Sequence, residues 1–158
     1  MKRLLTVALA LALALGLTAC GGKEQNDAPP LYGTDRVAAM AEAGAFSEEL
    51  EELDADTAFI LYKLADCGLA REDLKECAVR RSAGATCEEG AVLVFTSADK
   101  AQTAKGALED YVQSQIDANT DYRPAEIPKL EGALVDIRGE TLLLVVANDL
   151  DAAKGALK

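Results

Sequence analysis

The stretch "ETLLLVVANDLDAAKGAL", residues 140–157, decides the fold. Its first half is aliphatic and β-branched without apolar–polar alternation, which predicts a strand covered on both faces. Its second half opens on small polar residues and continues as an alanine-rich helical pattern, with Asn148 as the expected cap of a helix through Leu157. A second segment, "AVLVFTSADKAQTAKGAL" at 91–108, follows the same plan of strand, polar cap and amphipathic helix with the AKGAL ending. The pair reads either as a duplicated hairpin-plus-helix unit or as coincidence among alanine-rich helices, and two copies are too few for a solenoid.

Outward from this pair, "AVRRSA", "GAVLVFT", "GALVDI" and "ETLLLVV" read as four strands by their β-branched and aliphatic content. Arg138-Gly139 is the expected two-residue hairpin turn, because glycine supplies the positive φ that such turns require. Ser97 can cap a long helix whose apolar face runs through Ala101, Ala104, Leu108, Val112 and Ile116, and Pro124 and Pro128 prevent its continuation. Upstream, Asp35 can cap a helix from Arg36 through "VAAMAEAGAF". Asp54 can cap "ADTAFILYKLAD", with Phe59, Tyr62 and Leu69 as core candidates, and Arg71 to Glu76 can form one short helix.

The expected fold is therefore α+β: a single domain at 35–158 with a four-stranded, mainly antiparallel sheet in ββαββα-like order, preceded by two or three N-terminal helices. The helices of the two similar units are expected to share one face of the sheet. The N-terminal helices, or a partner, must then cover the other, and a face left apolar and open would be a binding surface.

The N-terminal segment sets the expected address. Lys2 and Arg3 precede an apolar run from Leu4 to Leu17, about fourteen residues and shorter than the ~20 that a membrane-spanning helix needs. Leu17-Thr18-Ala19-Cys20 resembles the lipobox of bacterial lipoproteins. The resemblance implies a signal peptide at 1–19 and a diacylglyceryl group on Cys20, which becomes the first residue of the mature protein. Two acyl chains on one residue make a durable anchor, because a single chain binds only reversibly. The alternative is an ordinary signal peptide cut after Ala19, with Cys20 a plain thiol. The segment "GGKEQNDAPPLYGT" is rich in Gly, Pro and small polar residues, so 20–34 reads as lipidated cysteine plus tether, reaching no more than about 45 Å from the lipid. The expected localisation is the extracytoplasmic face of the cell membrane.

Composition narrows the function classes. Without residues 1–19 the chain keeps 14 basic against 27 acidic residues, net −13. Nucleic-acid binding is therefore excluded, and anionic headgroups would repel the domain, leaving the anchoring to the lipid. The chain has no histidine and no tryptophan, so Ser-His-Asp and Cys-His arrangements and imidazole zinc sites are ruled out. Cys67, Cys77 and Cys87 lie ten residues apart, unlike metal-binding cysteines, which sit two to four apart. They read as buried free thiols or as one of three disulfide pairings. Six carboxylates between Glu48 and Asp56 read as a solvated acidic helix face, since an EF-hand loop needs a central glycine and a terminal glutamate that this stretch lacks.

From about Leu53 onward the chain resembles the Gram-positive lipoproteins grouped as domain of unknown function 4358. The resemblance rests on "LYKL", "ATCEEGAVLVF" and "YRPAEIPKLEGALVDIRGETLLLVV", in an order that covers about two thirds of the chain. It places a glutamate ahead of the apolar strand, here Glu88 or Glu89, and a Tyr-x-Pro element, here Tyr122 and Pro124, before the last hairpin. It implies no activity, and it gives the three cysteines no redox role. Glu88, Glu89 and Tyr122 could form an acid–base site. However, adjacent strand residues point to opposite faces, so the two glutamates cannot both line one cleft. A turn carboxylate and a tyrosine packed by prolines are the alternative.

The expected function is a membrane-anchored, non-catalytic lipoprotein that binds or assembles with an envelope protein; no catalytic residues, cofactor or metal are expected. The alternative is a small-solute or cation-binding lipoprotein. A carboxylate-based wall enzyme is a third reading.

Overall fold

The computed structural model describes residues 29–158. The leader, the lipidation residue Cys20 and the tether as far as residue 28 lie outside the described residues. In chain order the elements are α1 (Asp35–Glu42), β1 (Glu51–Leu53), α2 (Ala55–Leu61), β2 (Leu74–Arg81), β3 (Glu89–Phe95), α3 (Ala98–Asn119), α4 (Ile127–Glu131), β4 (Leu134–Arg138), β5 (Thr141–Val146) and α5 (Leu150–Ala156). The fold is α+β, with one antiparallel sheet of five strands in the order β1-β2-β3-β5-β4.

The fifth strand corrects the expected four. β1 comes from the acidic stretch expected as a helix face. Glu51 and Glu52 pair with Arg81 and Arg80 across the β1–β2 ladder, and opposite charges facing each other stabilise a sheet edge. The helix expected over Arg71 to Glu76 shortens to a 3₁₀ turn at Arg71–Asp73, because Leu74 already enters β2 with its side chain buried.

Two helix caps fall where the sequence places them. Asp54 accepts the Thr57 amide at 2.8 Å and Ser97 accepts the Lys100 amide at 3.3 Å. The last cap moves by one residue: Asp149, rather than Asn148, accepts the Ala152 amide at 2.9 Å. The β4–β5 turn also shifts by one. Arg138 pairs with Thr141, so the turn residues are Gly139 and Glu140, with Gly139 at φ +55°. α1 begins at Asp35 itself, behind Thr34 and without a side-chain cap.

Every residue of β5 is buried, as is most of β3. Ala91, Leu93 and Phe95 of β3, with Leu142, Leu144 and Val146 of β5, pack with α3, Ala58 and Tyr62. Val92, Leu143 and Val145 face the other way and pack with Val37 and Met40 of α1 and Ala153 of α5.

The two AKGAL helices thus lie on opposite faces, against the expectation that they share one. Their local faces agree, since Ala104 and Leu108 are buried in α3 and Ala153 and Leu157 at α5. The connections differ. Phe95 and Val146 both point to the α3 face, but the cap follows Phe95 by two residues and Val146 by three. Successive extended residues alternate sides, so one added residue sends the chain to the opposite face. Helices on both sides leave no open central sheet face among the described residues.

The domain also begins earlier than Asp35. Tyr32 is buried, and its amide donates to Thr141 Oγ1 at 3.0 Å. Its hydroxyl donates to Asp136, and the Arg138 guanidinium lies 4.1 Å from its ring centroid. Among the described residues no helix is long and apolar enough to cross a membrane.

Candidate functional site

Glu88 and Glu89 stand where β3 begins, and both are buried, at 1 % and 3 % exposure. The resemblance singled out this position, but the two carboxylates go to different surroundings. Glu88 accepts the Ser47 amide at 2.6 Å, the Ser47 hydroxyl at 2.5 Å and the Lys129 ammonium at 2.7 Å. Lys129 also reaches Glu126 at 3.1 Å, and Glu126 accepts the Cys87 amide at 2.9 Å. Glu88 therefore ties the segment after α1 to α4 beside the end of the sheet.

Glu89 enters the α3 face. The Tyr62 hydroxyl donates to one carboxylate oxygen at 2.5 Å and the Tyr111 hydroxyl to the other at 2.7 Å. The two rings meet edge to face, with centroids 5.1 Å apart and planes at 84°. Arg81, the cross-strand neighbour of Glu89, stands 3.7 Å from the carboxylate, and its Nε is buried without a hydrogen-bond partner among the described residues. Burial raises the Glu89 carboxyl above its ordinary range, against the lowering effect of the two tyrosine bonds and Arg81. Burial, then the neighbouring Glu89 charge, raises both tyrosines well above theirs. All three groups thus hold their protons more tightly than in water.

In front of the tyrosine pair lies a groove of about 430 Å³ between the α2 end and α3. Leu61, Ala107 and the two tyrosines form its apolar part, and Lys63, Asp66 and Asp110 stand at its rim. Glu89 does not line the groove; it lies behind the tyrosines that do. Lys63 is also the one non-glycine residue among those described with positive φ, at 52°. That backbone conformation is uncommon outside glycine, asparagine and aspartate.

The remaining residues singled out in the sequence fall elsewhere. Tyr122 is 80 % exposed, so it neither joins the glutamates nor packs against the prolines; the Arg123 guanidinium stands 5.7 Å from its ring centroid. Pro124 opens a 3₁₀ turn ahead of α4. Cys67, Cys77 and Cys87 are free thiols and half-buried, and burial pushes the Cys77 and Cys87 thiols up, away from the reactive thiolate. Among the described residues no three acidic or cysteine side chains gather as a metal site. Sequence reading missed Tyr111, Arg81, Ser47 and Lys129. Tyr111 carries a signal, since it follows the buried Leu108 by three residues on the same helix face; the other three carry none.

No family model, curated protein or solved structure matches the chain.

Proposed function

We propose that this chain is a membrane-anchored, extracytoplasmic, non-catalytic binding lipoprotein whose domain takes a small organic solute in the groove at Tyr62 and Tyr111. The groove is the observation that carries this reading. Its size lies within the usual range of ligand pockets, and its apolar walls with a few polar groups have the make-up of a solute site. The non-catalytic part rests on the glutamates: Glu88 is held by Ser47 and Lys129, Glu89 by two tyrosines, and neither lines the groove. The anchor rests on the lipobox at Leu17–Cys20, and we keep membership of the domain-of-unknown-function lipoproteins as part of the same proposal. The envelope-partner reading loses the open sheet face that motivated it.

A thermal-shift screen of the full chain in detergent micelles, against amines, amino acids, short peptides and divalent cations, tests the binding reading. The expected result is a saturable rise in Tm with at least one organic solute, as mass action requires of a ligand that binds the folded state. A flat response across the panel, or a rise with divalent cations alone, overturns it. For the anchor, Cys20→Ser is expected to move the protein from the membrane fraction to the soluble fraction.

A further inference from the structure

The groove has a charge character that narrows its ligand. Asp66 stands on the 3₁₀ turn Leu64–Cys67 after α2, and Asp110 stands on α3, so the two rim carboxylates come from separate elements of the groove wall. Among the described residues no ion pair uses Asp66, Asp110 or Lys63. A third carboxylate, Glu89, lies directly behind the tyrosine hydroxyls. The Arg81 guanidinium stands 3.7 Å from Glu89 and offsets its charge, so the rim sets the balance: two carboxylates against the single ammonium of Lys63 leave the groove negative, and its low-dielectric walls focus that field on whatever enters.

Space points the same way. Gly106 lines the groove from the middle of α3, and a Cβ built there meets nothing within 4 Å. Glycine inside a helix costs stability relative to alanine, and no neighbouring atom in the fold requires its absence of a side chain. The floor beside it is Ala107 and Leu61, a surface suited to an apolar body rather than to a bare ion.

We infer that the groove binds an organic ammonium cation, with its apolar body against Leu61, Ala107 and the tyrosine rings and its charge between Asp66 and Asp110. This rests on the binding reading above and names the ligand class for the same groove. Lys63 opposes organic cations only weakly, being one exposed charge at the rim, and its removal leaves their binding equal or tighter.

The test uses the full chain in micelles and two probes of like shape and opposite charge, phenethylamine and phenylacetate, followed by calorimetric titration. Phenethylamine is expected to bind saturably and phenylacetate not at all. The double variant Asp66→Asn, Asp110→Asn is expected to weaken the amine about tenfold, since two partly exposed charge pairs are lost, and Lys63→Gln to leave it equal or tighter. Both aspartates are exposed, so these changes spare the fold. A Cβ at 106 meets nothing within 4 Å, so Gly106→Leu is expected to fill the groove and abolish binding while the melting temperature holds or rises. Equal or tighter binding of phenylacetate, or no effect of the double aspartate change, overturns the cation class. If Gly106→Leu still blocks the probe in that case, the groove remains a solute site of another charge type. Failure of both probes also overturns the inference, and a rise in Tm with another organic solute in the wider panel then separates that failure from failure of the binding reading.

Discussion

Two buried carboxylates sit side by side at the entrance to β3, and the protein treats them differently. Glu88 has a cation on it at 2.7 Å together with the amide and hydroxyl of Ser47. Glu89 has two phenol hydroxyls, and its nearest cation stands off at 3.7 Å. The first is an ion pair whose desolvation is offset by charge and hydrogen bonds together. In the second, neutral donors do most of the work, and the carboxyl is left above its ordinary range by burial. The difference has a structural use. Lys129 joins Glu88 to α4, whereas the tyrosines fixed by Glu89 form the back wall of a groove.

The largest expected effect comes from breaking the first pair. Lys129→Met leaves Glu88 buried without its counter-ion, and a loss of about 3–5 kcal/mol in denaturant unfolding is expected. A loss below 1 kcal/mol would mean that Ser47 alone compensates the charge, and the contrast between the two sites would collapse.

A smaller effect is expected on the other side. Tyr111→Phe removes one donor from Glu89 and should cost about 1.5–3 kcal/mol, the range for hydrogen bonds to charged groups. Tyr62→Phe should behave alike. The double variant sharpens the comparison: because both hydroxyls serve one carboxylate, its cost should depart from the sum of the two, and strict additivity would show that they act independently.

The smallest effect is a pH dependence. The folded-state pKa of Glu89 is raised above its ordinary 4.5, so the folded protein holds this proton more tightly than the unfolded chain. The favourable contribution is fully present below pH 4.5 and is lost as pH rises through the folded-state value. Glu89→Gln cannot titrate, so its stability should fall less than that of the native protein as pH is raised from 4.5 towards neutrality. Parallel stability profiles for the two proteins would show that burial leaves Glu89 unperturbed.

The two carboxylates also mark how far the sequence could be read. Strand alternation correctly predicts that neighbours at 88 and 89 cannot line one cleft. That both are buried is not visible in "CEEG", because the hydrogen-bond partners of their carboxylates lie 22 to 41 residues away in the chain. Tyr122 shows the opposite error. A tyrosine beside two prolines looks packed, yet the turn carries it into solvent, since nothing in the local pattern says which side of a turn faces the core. β1 was illegible for a related reason. Its glutamates favour a strand only once Arg80 and Arg81 are laid opposite them.

By itself the sequence determined the α+β class, the doubly covered β5, the long helix with its serine cap, and the absence of histidine chemistry. All of these rest on composition or on contacts within a few residues. Tertiary structure decided which face each helix covers, the fifth strand, the earlier start of the domain at Tyr32, and the groove before Tyr62 and Tyr111. These depend on one residue more or less in a connection and on pairings between distant elements. Alternation along a strand turns such small differences in length into opposite sides of a sheet, and no local pattern records them.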